Sequence, residues 1–237
     1  MPTTSRATAT TTSTSRPSSS SATSFAQRLE RVRSRIADAG GDPQRITIVG
    51  AKPPTVDACR AAIDAGLTHL GENRAQELLA KAPEVDGVAW HFIGRLQTNK
   101  VRALASVVGL WETVDRADAV DEVARRAPGA RVLVQVNISD EPQKGGCAVA
   151  DAPVLVAQAR DAGLVVAGLM GIAAMGPPES ARPAFRRLRH LADDLALVER
   201  SMGMSADLEV AVQEGATIVR VGTALFGART SADFRTD

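Results

Sequence analysis

From residue 25 onward the apolar positions fall into two rhythms that keep exchanging. Phe25, Leu29, Val32 and Ile36 recur at steps of four, three and four, which places them on one helical face. Gly40 and Gly41 end that helix. Residues 46–51 (ITIVGA) then form a short continuous apolar run, the pattern of a strand buried on both faces. Beyond them the pattern predicts helices over 56–65, 74–81, 98–105, 117–126, 153–162, 185–198 and 208–214. It predicts strands over 67–70, 90–93, 107–114, 131–138, 164–173, 201–204 and 217–222.

Apolar strands joined by helical crossovers predict a parallel sheet with both faces covered. Eight such units in about 210 residues fit a single (β/α)8 TIM-type barrel, class α/β. An open doubly wound sheet is the competing arrangement. No internal repeat of fixed period and no linker follows residue 25, so residues 25–237 are expected to form one domain. Residues 1–24 are mostly Ser and Thr with no acid, too polar to bury a core, and are expected to be a disordered tail.

Charge and cysteines narrow the classes. A net charge of +1 with no concentrated basic stripe implies no nucleic-acid partner. No apolar run approaches the ~20 residues that span a membrane. Cys59 and Cys147 lie far apart, with neither zinc spacing nor a disulfide framework. That fits a reducing, cytoplasmic setting and no metal site.

The first candidate for chemistry is Lys52, the first charge after the 46–51 strand. In a barrel, strand C-terminal ends form the active face, and an amine there, shielded from water, can act as a nucleophile. The alternative is an ordinary surface lysine opening a loop. Far downstream, residues 201–205 (SMGMS) and 219–227 (VRVGTALFG) place Ser201, Gly203, Ser205, Gly222 and Thr223 at strands 7 and 8. Barrels often hold phosphate there with backbone N–H groups and hydroxyls; close packing of small residues is the alternative. An amine and a phosphate cradle together are what pyridoxal 5′-phosphate (PLP) requires.

Arg220 shares a strand face with Ile218, which points it into the barrel. A buried arginine needs a ligand, such as a pyridine nitrogen, or an acid such as Glu72 or Asp140. Asn73, in the GEN run at 71–73, is placed to bond a ring hydroxyl. His91 shares a face with Ile93, opposite Trp90 and Phe92, and a structural histidine is the simpler reading. Lys144 lies in a charged stretch, 137–144, near the same rim.

These residues resemble the pyridoxal phosphate homeostasis protein family. The resemblance runs from about 25 to 227 and is carried by Lys52, DAG at 64–66, GEN at 71–73, WHFIG at 90–94, LQTNK at 96–100, VNIS at 136–139, GLM at 168–170, SMGMS at 201–205 and VRVGTALFG at 219–227. Around the lysine the chain reads GAKPP where the family often has SKTKP, and Arg74 stands where Tyr is common. The resemblance implies a barrel like the N-terminal domain of alanine racemase, PLP fold type III without the second β domain. It also implies a Schiff base on Lys52, phosphate held by Ser201, Ser205, Gly222 and Thr223, and Arg220 facing the ring nitrogen. Lys144 would be a secondary PLP contact.

A racemase needs an acid/base on each face of the cofactor, and in alanine racemase the second is a tyrosine from another domain. This sequence contains no tyrosine, and no room for a second domain follows residue 227. An arginine at the ring nitrogen also weakens the electron sink. The expectation is therefore a monomeric PLP carrier in vitamin B6 homeostasis that passes the cofactor to apo PLP-dependent enzymes. The alternative is a PLP-dependent amino-acid racemase or lyase using His91 or water. A barrel binding a phosphorylated sugar without PLP is a third reading.

Overall fold

The computed structural model describes residues 24–139, 141 and 143–227. The expected 1–24 tail therefore lies almost wholly outside the described residues, and Asp140 lies outside them too. Helix α1 (Phe25–Asp38) begins at a capping box: the Ser24 hydroxyl accepts from the Gln27 N–H, and the Gln27 side chain accepts from the Ser24 N–H. Phe25, Leu29, Val32 and Ile36 are all buried, as their spacing predicts.

The chain then runs β1 (Thr47–Ala51), α2 (Val56–Asp64), β2 (His69–Glu72), α3 (Ala75–Lys81), β3 (Ala89–Phe92), α4 (Thr98–Leu104), β4 (Val108–Val114) and α5 (Ala117–Arg126). It continues β5 (Arg131–Val136), α6 (Ala152–Asp161), β6 (Val165–Gly171), α7 (Arg182–Asp194), β7 (Glu199–Ser201), α8 (Leu208–Gln213), β8 (Ile218–Val221) and α9 (Thr223–Phe226). The strands are parallel and close in chain order, with β8 paired back to β1. The open-sheet alternative is thereby excluded.

Period-two alternation divides each strand between two cores. Val49, Leu110, Leu133, Met170 and Ile218 meet inside the barrel. Trp90, Phe92, Trp111, Val134, Leu169 and Val219 point outward into the layer under the helices. Fully burying each such side chain contributes roughly 1.5–3 kcal/mol, enough to fix which face points in.

Several boundaries differ from the sequence pattern. The strand expected over 67–70 is observed two residues later, which brings Gly71 and Glu72 into β2 and leaves Asn73 as the first residue beyond it. The strand expected over 201–204 is observed at Glu199–Ser201. Gly203 has φ +92° and cannot continue an extended run, so residues 203–205 form the loop after β7. The helix before it ends at Asp194, and Ala196 turns the chain at φ +51°. The single turn α9 gave no periodic signal because it is four residues long.

Candidate functional site

Strand register brings the sequence candidates to one corner of the C-terminal rim. Gly50 pairs with Val221 across β1 and β8. Ala51 and Lys52 follow on the β1 side, and Gly222 and Thr223 on the β8 side. On the other side Ala51 pairs with Gly71 of β2, and the Lys52 N–H donates to the Gly71 carbonyl at 2.7 Å.

Lys52 has φ +57°, a left-handed conformation that costs a non-glycine residue on the order of 1–2 kcal/mol. Its side chain is exposed rather than shielded. The next residue explains how the turn is held. The Pro53 carbonyl accepts from the Lys81 ammonium at 2.6 Å, and the same nitrogen binds Glu72 at 2.5 Å and Glu77 at 3.2 Å. Lys81 is 7% exposed and Glu72 fully buried. Burial raises the Glu72 pKa above its ordinary value, with Lys81 opposing. The turn that carries Lys52 is thus pinned through its next residue.

Opposite it lies a cradle of backbone. A Cβ on Gly203 would fall 2.4 Å from the Ala211 Cβ, and one on Gly222 would fall 3.1 Å from the Ala51 carbonyl oxygen. Only glycine lets the chain approach so closely at Gly203. The Ser205 hydroxyl accepts from the Ala224 N–H at 3.2 Å, and the Arg220 N–H donates to the Gly203 carbonyl at 3.0 Å. Those two bonds lock the loop after β7 against β8 and α9. The Thr223 side chain is exposed and makes no hydrogen bond with the described residues.

Beneath the rim Arg220 points inward, 4% exposed, as its position beside Ile218 predicts. It donates to the Ser201 hydroxyl at 2.6 Å and to the Gly171 carbonyl at 2.9 Å. The Ser201 hydroxyl donates to Glu112 at 2.6 Å. The other oxygen of Glu112 meets His91 Nδ1 at 2.5 Å, and His91 Nε2 meets His69 Nδ1 at 2.9 Å. Burial alone would raise the Glu112 pKa. The hydrogen bond and charge of His91, with Arg220 and Ser201, outweigh it and hold the carboxyl below its ordinary value.

This network corrects several expectations. The acid facing Arg220 is Glu112; Glu72 is bound to Lys81 outside the barrel lumen. The Ser201 hydroxyl is fully buried, accepting from Arg220 and donating to Glu112. His91 is 2% exposed with both ring nitrogens engaged. Asn73 is exposed just beyond β2. Lys144 is half-buried beyond β5, donating to the Ala173 carbonyl at 2.8 Å and pairing with Glu141 at 2.5 Å.

Glu112, Lys81 and the Pro53 carbonyl were not anticipated. Glu112 carried a usable signal: a lone acid two residues from Leu110, on the inward face of an otherwise apolar strand. Together these groups fit PLP. The rim offers an exposed amine, and the cradle is closed to side chains by its glycines. Arg220 retains part of a five-donor fork that Ser201 and Gly171 do not use.

Comparison with known proteins agrees. The family model for alanine racemase, N-terminal domain, matches residues 22–230. The pyridoxal phosphate homeostasis protein of Aquifex aeolicus is 42% identical over 218 residues, covering 85% of this chain and 95% of that protein. The protein of the same name from Pseudomonas aeruginosa is 40% identical over 221 residues, covering 88% and 95%. Among solved structures, PipY of Synechococcus elongatus with PLP bound superposes with a TM-score of 0.76 at 31% identity, covering 86% of this chain and 100% of that one. Alanine racemase of Clostridium difficile superposes at 0.68 with 14% identity, covering 87% and 57%, a likeness of fold alone.

Proposed function

The chain belongs to the pyridoxal phosphate homeostasis protein family, and on that premise we propose that it binds PLP through Lys52 and acts as a carrier in vitamin B6 homeostasis. The observation that carries this reading is the convergence of Lys52, the 203–205 loop and residues 222–223 at neighbouring strand ends, over a buried Arg220. The relatives' shared name and the PLP bound in the PipY structure support it.

The cofactor supplies an aldehyde that condenses reversibly with a primary amine. Every other part belongs to the chain. Lys52 offers the amine from a turn held by Lys81 and Glu72. Gly203, Ser205, Gly222 and Thr223 offer N–H groups and hydroxyls to a phosphate. Asn73 stands at the neighbouring strand end for a ring hydroxyl, and Lys144 is the second amine on the rim.

Arg220 sets the character of the site. A guanidinium stays protonated and gives a hydrogen bond without giving up its proton. Beside a ring nitrogen it favours retention over carbanion chemistry. No tyrosine exists in this sequence to serve as a second acid/base, and His91 is committed inside the barrel. We therefore favour a carrier over a racemase or lyase. Recipients would be apo PLP-dependent enzymes, and the protein would work as a cytoplasmic monomer. The two free cysteines, and the lack of any helix long and apolar enough to cross a membrane among the described residues, fit that setting.

The test is an absorption spectrum of purified protein loaded with PLP, before and after borohydride, with mapping of the modified peptide. A band fixed onto Lys52 and absent in Lys52→Ala is expected. Protein that stays colourless in excess PLP would overturn the reading. Sustained amino-acid racemisation with kcat on the order of 1 s⁻¹ or more would replace the carrier with an enzyme.

A further inference from the structure

Beyond the ends of β2 and β3 lies a cavity of about 510 Å³, of whose lining the PLP reading uses only Asn73. It is lined by Asn73, Arg74, Gln76, Arg95, Gln97 and Lys100. Its polar side chains are three cations and three amides, with no carboxylate among the lining residues.

We propose that this cavity is a second, anion-selective site for a small phosphate-bearing molecule. Charge is the first argument. The whole chain carries only +1, so three cations around one concavity are a local concentration and not a general property of the surface. Arg74 is partly balanced by Glu77 at 3.6 Å. Arg95 and Lys100 form no ion pair with the described residues, and Lys100 is half-buried. Two uncompensated like charges facing one cavity repel, and a bound anion would relieve that repulsion. In a concave site, partly shielded from water, the interaction is stronger than on an open surface.

Shape is the second argument. The volume falls within the roughly 300–1,000 Å³ of small-molecule sites, too small for a folded partner to enter. Planar guanidinium forks at Arg74 and Arg95 match the oxygens of a phosphate in a two-bond manner that an ammonium alone cannot provide. The amides of Asn73, Gln76 and Gln97 add neutral donors suited to an ester's remaining oxygens. The inference is independent of any chemistry at Lys52.

The test titrates inorganic phosphate into the full chain at low ionic strength by calorimetry, with two variant pairs run beside the wild type. Arg95→Ala/Lys100→Ala removes the uncompensated cations from surface positions. Ser205→Ala/Thr223→Val disables the cradle of the PLP site instead. The expected result is a phosphate site at least tenfold weaker in Arg95→Ala/Lys100→Ala, retained in Ser205→Ala/Thr223→Val, and weakened by added salt. Phosphate binding unchanged in Arg95→Ala/Lys100→Ala would overturn the proposal. Loss of PLP in the cradle variant alone, with this site intact, would show that the two sites stand or fall separately.

Discussion

Glu112 and Arg220 approach to 3.9 Å in the barrel interior, with the Ser201 hydroxyl set between them, accepting from the guanidinium and donating to the carboxylate. Both charged groups are buried. Removing one leaves the other charged in a low-dielectric interior. Glu112→Ala is therefore expected to lose about 3–5 kcal/mol of stability by urea denaturation. Ser201→Ala, which removes only a neutral bridge, is expected to lose about 1–3 kcal/mol. Equal stability of wild type and Glu112→Ala would mean that the network is not formed.

The Lys81–Glu72 pair lies outside the lumen and makes a different prediction. Its ammonium holds the Pro53 carbonyl, one residue from Lys52, so it couples stability to the geometry of the rim. Lys81→Met is expected to cost about 3–5 kcal/mol by leaving the Glu72 carboxylate buried and unpaired. It should also weaken PLP retention, because the turn under Lys52 loses its anchor. Adding Glu72→Gln should recover much of the stability but not the retention. Recovery of both in the double variant would deny Lys81 its positioning role.

Much of this architecture was legible because burial imposes a period. The face of α1, the inward direction of Arg220 and the face that Trp90 and Phe92 share follow from spacing alone. The strand-end position of Lys52 followed in the same way. What failed lay where spacing carries no information. Ser201, Gly203 and Ser205 alternate in sequence like a strand, but β7 ends at Ser201 and the left-handed Gly203 puts the rest in a loop. The roles of Ser201 and His91 depend on Glu112, a residue of β4 far from both in sequence, and only barrel closure shows that they meet. Lys81 resembles any lysine in the last turn of a short helix until its ammonium is found on Pro53 and Glu72.

Lys52 itself permits a comparison of two substitutions. Its φ of +57° is disfavoured for any residue with a Cβ and open to glycine. Lys52→Ala keeps the strain and Lys52→Gly releases it, while neither removes a buried contact. Lys52→Gly is expected to be more stable than Lys52→Ala by about 1 kcal/mol in denaturant melts, although both lose covalent PLP. A less stable glycine variant would show that this turn is not left-handed.

His69 ends the polar chain at the opposite mouth of the barrel, and its titration has a definite sign. Burial first, then the neighbouring His91 and Arg131, lower its pKa below the ordinary 6.5, against the opposing pull of Glu112 and Glu199. Between the folded pKa and 6.5 the unfolded chain binds more protons than the folded one, so stability rises with pH across that window. The contribution is complete above 6.5 and is lost as pH falls through the lowered value. Glu112, also lowered, loses its own contribution only below 4.5. Urea midpoints measured on either side of 6.5, but above 4.5, should fall with acid in the wild type and fall less in His69→Gln. The same slope in both proteins would mean that His69 titrates as it would in water, uncoupled from His91 and the buried carboxylate behind it.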